Sequence, residues 1–219
     1  FTCFSTDEDA TCQRMFYTYR YNSSTSMTVS ALGYGTTSKT QAQSNDTDSA
    51  IKKYLDNIYK NYMTAYKDKL SPSTTFCNNR TTSTKVSGNY NNAGYGMNPT
   101  MYGYERYINY ASQGKLGPDL SCPLNDSFNV EGTNGNEKLT YPVGLITLDE
   151  VLLGGGVNGS VNTLYYLYSG TDYWTMSPAY FGDWLSSRVV RVVSSGELNY
   201  NGTNQNYGIR PVINIDPDK

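Results

Sequence analysis

Chemistry in this 219-residue chain must come from carboxylates, cysteines, arginines and aromatic rings, because the sequence contains no histidine. Histidine is the usual general base near neutral pH and the commonest protein ligand of metal ions. The sequence also lacks a GxSxG motif, an HExxH motif and a phosphate-binding glycine loop. The carboxylates Asp149, Glu150, Asp172 and Asp183 show no spacing that is typical of a hydrolase. We therefore predict that the protein is not an enzyme and uses no cofactor, with a hydrolase as a distant alternative.

A different chemistry, the contact of aromatic rings with a ligand, is indicated by the stretch YWTMSPAYFGDWLSSR at residues 173 to 188. It holds both tryptophans of the chain, and after its proline it follows neither a strand nor a helix period. Tyr, Trp and Arg are frequent in binding hot spots, and Ser, Gly and Asn supply adaptable hydrogen bonds. The region between 180 and 207 therefore predicts a contact surface. The alternative is that Phe181 and Trp184 pack over a short sheet.

The four cysteines indicate disulfide bonds and a location outside the cytoplasm. A zinc site is disfavoured, because the sequence has neither a CxxC motif nor a histidine. We predict the pairs Cys3–Cys12 and Cys77–Cys122, and two other pairings remain open. The first bond would close the acidic loop TDEDAT. The second would tie together an irregular region, residues 71 to 140, that is dense in Gly, Pro and Asn.

Periodicity predicts an α+β fold in which strands flank one long helix. The helix is predicted over residues 48 to 70, with a core face formed by Ile51, Leu55, Ile58, Tyr62 and Tyr66. Strands are predicted in residues 1 to 35 and again after residue 140. There YPVGLITLDEV predicts a strand and then a short helix, which Thr147 and Glu150 begin with a capping box. The sequence SSGEL predicts a hairpin turn.

Charge and hydropathy exclude two classes of partner. The formal net charge is −2 and no basic stripe occurs, so we expect no nucleic acid partner. No apolar run approaches the roughly 18 residues that a membrane-spanning helix needs. We expect contact with a membrane only through an export signal or anchor that preceded Phe1 and has been removed.

Four short motifs follow one another in the order YPVGLITLDEV, YWTMSP, RVVRVVSSGELN and YGIRPVINI. This order resembles the C-type-lectin-like domains of bacterial and phage surface proteins. These domains are similar to formylglycine-generating-enzyme-like domains and to the variable proteins of diversity-generating retroelements. The N-terminal hairpin around FTCFS resembles exported, pilin-like proteins of gut Firmicutes. Formylglycine-generating activity is not implied, because it needs a late cysteine pair and no cysteine follows Cys122.

The resemblance implies a C-type-lectin-like fold, with a small twisted antiparallel sheet, one long helix and long loops stapled by disulfides. Residues 1–40 would form a β-hairpin arm, and residues 41–219 would form the ligand-binding domain. The framework would include Trp174, Ser177, Pro178, Gly208, Pro211 and a buried Arg210 that pairs with Asp149 or Glu150. The ligand-binding residues would be Tyr173, Ala179, Tyr180, Phe181, Asp183, Trp184, Leu185, Ser187, Arg188, Arg191, Tyr200, Asn204, Asn206 and Tyr207.

The function that the resemblance implies is recognition of a protein or glycan on another cell or virion. The protein would be extracellular or on a cell surface, including a pilus or a phage virion. The lectin-like fold sometimes carries calcium, so a surface Ca²⁺ is compatible with it. The alternative function is structural: a pilus or surface-layer subunit that self-assembles through the aromatic segment.

Overall fold

The computed structural model is an α+β structure that describes residues 50–79, 81, 100–101, 118–123, 126–131, 137–181, 188–202 and 207–219. Helix α1 spans Ala50–Ile58 and continues as a π-helix, Tyr59–Met63, and a 3₁₀-helix, Thr64–Lys69; helix α2 spans Leu148–Leu153. The strands are β1 Phe76–Cys77, β2 Thr100–Met101, β3 Ser127–Asn129, β4 Glu137–Lys138, β5 Gly144–Leu145, β6 Val157–Asn158, β7 Tyr173–Phe181, β8 Arg188–Val192, β9 Glu197–Gly202 and β10 Pro211–Val212. The predicted N-terminal arm and the Cys3–Cys12 bond lie outside the described residues.

The largest sheet has five strands in the order β2–β7–β8–β9–β6. Its neighbours run antiparallel, except that β6 runs parallel to β9. The β8–β9 hairpin confirms the turn that SSGEL predicts: Gly196 adopts φ +81°, and its N–H donates to the Val193 carbonyl at 2.8 Å. Two smaller sheets, β1–β3–β4 and β10–β5, complete the described strands.

Consecutive residues of strand β7 separate two hydrophobic cores. Side chains alternate between the faces of a sheet, so Tyr173 and Trp174 point in opposite directions. Tyr173 packs in the cluster that contains Leu148 and Val151 of α2, and Trp174 packs in the cluster that contains Ile51 of α1. Both rings are buried, with exposed fractions of 0% and 1%. The central sheet is therefore covered by one helix on each face.

The helix at residues 50–69 buries a different face from the predicted one after its first two turns. The first three predicted core residues are buried, but Tyr62 and Tyr66 are 50% and 57% exposed, so that part of the prediction is wrong. Tyr59 and Met63 are buried in their place. The reason is the π-turn: the Thr64 N–H donates to the Tyr59 carbonyl, five residues back. This bond adds one residue to the turn and shifts the buried face.

Helix α2 begins with the predicted capping box. The Thr147 hydroxyl accepts from the Glu150 N–H at 3.1 Å, and the Glu150 carboxylate accepts from the Thr147 N–H at 2.7 Å. A third bond fixes the helix on the sheet, because the Leu148 N–H donates to the Ser177 hydroxyl of β7 at 2.8 Å. Ser177, predicted as a framework residue, thus accepts a hydrogen bond from one of the N–H groups at the start of α2 that have no partner within the helix.

The Cys77–Cys122 disulfide is present, with 5.8 Å between the two Cα atoms. Cys77 belongs to β1, whose backbone pairs with β3 through Phe76↔Phe128 and Cys77↔Ser127. The Asn79 side chain also reaches the Ser121 carbonyl at 3.4 Å, beside the disulfide. The disulfide therefore links β1 to the segment around Cys122, which precedes β3 in the chain.

Reduction of this disulfide should destabilise the β1–β3 pair more than helix α1. The bond closes a loop of 45 residues, for which the chain-entropy model gives about 4 kcal/mol. In hydrogen exchange, the amides of Phe76 and Phe128 should lose more protection on reduction than that of Leu55. A Cys77→Ser/Cys122→Ser variant should reproduce the effect without reductant. If reduction left the protection of both regions unchanged, the disulfide would not stabilise the β1–β3 pair locally, and the prediction would be contradicted.

Removal of the Thr147 hydroxyl should cost stability, because this group accepts from the Glu150 N–H and donates to the Glu150 carboxylate at 2.9 Å. Thr147→Ala should lower the free energy of unfolding by about 1 kcal/mol, because it removes the acceptor for the Glu150 N–H. Thr147→Ser is the matched control, since it keeps the hydroxyl. Urea unfolding followed by tryptophan fluorescence measures both variants. Equal losses in the alanine and serine variants would show that the methyl group, and not the cap, matters.

Candidate ligand-binding surface

Three long strands of the central sheet meet at one end. Arg188 begins β8 and pairs with Tyr180 of β7 on one side and with Gly202 of β9 on the other. Strand β2 reaches the same end, where Thr100 pairs with Phe181. Tyr180 and Phe181 therefore occupy the last positions of β7 at this end. Six other predicted ligand-binding residues belong to the connections from β7 to β8 and from β9 onward, outside the described residues: Asp183, Trp184, Leu185, Ser187, Asn204 and Asn206.

Two of the predicted ligand-binding residues lie in the core. Tyr173 and Ala179 both have an exposed fraction of 0% and face the α2 side of the sheet. The Tyr173 hydroxyl donates to the Leu167 carbonyl at 3.2 Å. Burial raises the pKa of this hydroxyl above its ordinary value, and the nearby Arg210 guanidinium acts against that shift. Neither side chain offers surface to a ligand, so both belong with the framework.

Arg210 has a framework position, but its contacts differ from the predicted ion pair with Asp149 or Glu150. Its guanidinium donates to the Leu167 carbonyl and lies 4.7 Å from the Tyr173 ring centroid. The two carboxylates instead accept hydrogen bonds from backbone N–H groups. Asp149 accepts from the Asp119 N–H at 2.8 Å, and Glu150 closes the capping box. Arg210 thereby ties the segment before β10 to the Tyr173 side of the sheet.

On the α2 face of the sheet, Arg188 lies over the ring of Tyr200. The guanidinium carbon is 5.5 Å from the ring centroid, within the range of a cation–π contact. Both side chains are partly exposed. Tyr200 pairs with Val190 across the hairpin, and Arg188 lies two residues from Val190, so the strand period places them on one face.

On the α1 face, Tyr207 is held by three neighbours. The guanidinium of Arg191 lies 4.2 Å from its centroid, and the edge of Trp174 meets it at 4.8 Å between centroids. The Asn201 amide donates to the Tyr207 hydroxyl at 2.6 Å. Arg191 is fixed in turn by an ion pair with Asp172. Tyr207 therefore presents a positioned, partly exposed ring.

These two contacts define what we call the arginine–tyrosine surface: Arg188, Arg191, Tyr200, Asn201 and Tyr207. It spans both faces of the hairpin, because Arg188 and Arg191 are three residues apart in a strand and point to opposite sides. Asn201 was missed as a site residue. The alternation of Asn199 and Asn201 with buried Leu198 and Gly202 in β9 is the sequence signal that could have identified it.

The described part of the chain contains no group of three or more Asp, Glu, Cys or His residues that could hold a metal ion. The acidic loop TDEDAT lies outside it. Within the same part of the chain, no helix is both long and apolar enough to cross a membrane.

No protein-family model, curated protein sequence or solved structure matches this chain. The resemblance to lectin-like surface domains therefore rests on the order of the sequence motifs. What can be said of function comes from the chain's own side chains.

Proposed function

We propose that this chain is a non-enzymatic recognition domain of C-type-lectin-like fold, displayed outside the cell, that binds a protein or glycan. The ligand would contact the arginine–tyrosine surface together with the connections that leave the same sheet end. The variable proteins of diversity-generating retroelements are the class it resembles. The observation that carries the proposal is the pairing of the partly exposed Arg188 and Arg191 with tyrosine rings.

The paired side chains are suited to binding because they are already ordered. Immobilising a flexible arginine or tyrosine on binding costs about 0.5–1.5 kcal/mol for each side chain. Here the stacked contacts of Arg188 with Tyr200 and of Arg191 with Tyr207 restrict those side chains before any ligand arrives. Less of the binding free energy is then spent on ordering these side chains, so the affinity is higher. Tyr and Arg are also the residue types that dominate measured hot spots.

The location of these pairs on the fold supports the proposal further. The framework beneath them is rigid, since Trp174 and Tyr173 are buried and strand β8 pairs on both sides. Arg188 lies at the end of β8, and binding residues at the end of a scaffold can vary without loss of the core. The structural alternative, self-assembly through the aromatic segment, has fewer rings to use, because Tyr173 and Trp174 belong to the two cores.

The proposal predicts that Tyr200→Ala weakens ligand binding. A hot-spot residue contributes about 2 kcal/mol, or roughly a 30-fold change in Kd. The ligand is first identified by applying the labelled domain to a glycan array and to a library of displayed surface proteins. Titration of each hit with the variant then gives the change in Kd.

Tyr66→Ala is the matched control, because it removes an equally large ring from an exposed helix position that is 57% exposed. It should leave Kd unchanged. Thermal unfolding confirms that both variants fold. Unchanged binding by Tyr200→Ala and Arg188→Gln would contradict this surface. Turnover of a glycan or peptide that is lost in Asp183→Asn would overturn the non-enzymatic proposal.

A further inference from the structure

Four large apolar side chains between residues 153 and 166 lie mostly in water. Leu164 and Tyr166 are 95% and 80% exposed, and the other two are more than half exposed. Single exposed apolar residues are common on protein surfaces, but a group of them marks an interaction site. We call this group the apolar patch; its members are Leu153, Val161, Leu164 and Tyr166.

Contacts between the two ends of the segment bring the members of the patch near one another. The Asn162 side-chain amide donates to the Gly155 carbonyl at 2.7 Å. Leu167 packs so closely on Gly154 that a Cβ added to this glycine would lie 2.8 Å from the Leu167 Cδ1. The end of α2, which carries Leu153, therefore lies against residues 162–167.

The outward direction of Leu164 and Tyr166 is fixed by the residues that alternate with them. Tyr165 and Leu167 are buried in the core on the α2 side of the sheet. The Leu164 N–H donates to the Asn162 Oδ1 at 3.1 Å. The fold thus holds two large apolar side chains in water, which is unfavourable until another surface covers them.

The charge pattern indicates what kind of surface that is. Residues 151 to 171 are the longest uncharged run of the sequence, although charged residues make up 16% of the chain. Anionic lipid headgroups attract basic side chains, and this run contains none. A glycan presents hydroxyl groups, which the three aliphatic side chains of the patch cannot bind. Apolar protein surface is the partner that fits.

We propose that the apolar patch binds the apolar patch of a second copy of this chain. In a two-fold symmetric contact a patch meets itself, so each charge in it would face the like charge of the other copy. A patch without charge avoids this repulsion. Glu197 reaches the run from β9, where its carboxylate accepts from the Gly159 N–H at 3.1 Å, so this charge already has a partner.

The patch lies at the end of the central sheet opposite to Arg188. The Asn162 N–H donates to the Ser195 carbonyl in the β8–β9 turn at 3.2 Å, whereas Arg188 begins β8 at its other end. Gly196 permits this approach, because a Cβ there would lie 1.7 Å from the Asn162 carbonyl oxygen. Association through the patch therefore leaves the Arg188 end of both copies open, and two linked copies bind a multivalent ligand with higher avidity.

The test is sedimentation equilibrium of the full chain and of a Leu164→Ser/Tyr166→Ser variant. The average mass of the unmodified chain should rise with concentration, and the variant should raise the dissociation constant of the dimer at least about tenfold. Ile215→Ser/Tyr66→Ser is the matched control, since it removes one aliphatic side chain and one tyrosine that are exposed outside the patch. It should leave the dissociation constant unchanged. Thermal unfolding confirms that both variants fold.

A second experiment tests whether the patch meets itself. Leu164→Asp and Leu164→Lys should each weaken association, and an equimolar mixture of the two should associate more tightly than either alone, because opposite charges then face each other. No gain on mixing would contradict the two-fold contact.

Two further outcomes would overturn the proposal. One is an unmodified chain that stays monomeric up to about 1 mM, and the other is an equal loss of association in the control variant. Phosphatidylcholine vesicles test the competing partner. If a monomeric chain co-sediments with these vesicles through Leu164 and Tyr166, the patch binds lipid and not a second copy.

Discussion

The packing of Tyr173 and Trp174 into opposite cores is the constraint on which the described structure depends. These two residues begin strand β7 of the central sheet, and each fills one side of the sheet with a fully buried ring. The Trp174 N–H donates to the Gly208 carbonyl at 2.9 Å, which brings the C-terminal segment against the same strand. Helix α1 and helix α2 can cover opposite faces only while this alternation holds. The first residues of the aromatic segment thus belong to the core.

The same two-residue alternation divides the arginines of β8 between the two faces of the sheet. It places Arg188 with Tyr200 on one face and Arg191 with Tyr207 on the other. Strand β9 therefore supplies Tyr200 to one pair and Asn201, which donates to the Tyr207 hydroxyl, to the other.

Local patterns in the sequence were reliable where one chemical reason decided the structure. The capping box of α2 and the β8–β9 turn were predicted because their residue types fit few other conformations, and the Cys77–Cys122 bond was predicted together with open alternatives. The exposure of Tyr62 and Tyr66 was not predicted, because the spacing of apolar residues does not indicate where a π-turn will interrupt an α-helix. The burial of Tyr173 was missed because tyrosine suits both core and contact surfaces. The division of the arginines between two faces was readable from their spacing, once β8 was known to be a strand.

The measurement that tests the central claim most directly is deep sequencing of codons 173 to 210 of this gene across many cells of its source population. The account predicts that substitutions are frequent at the predicted ligand-binding positions Tyr180, Phe181, Asp183, Trp184 and Asn204. It predicts constancy at the framework positions Trp174, Pro178, Gly208 and Pro211. If the codons of Tyr180, Phe181 and Trp184 are as uniform as the framework codons, the segment is not a variable recognition surface, and that result would contradict the account.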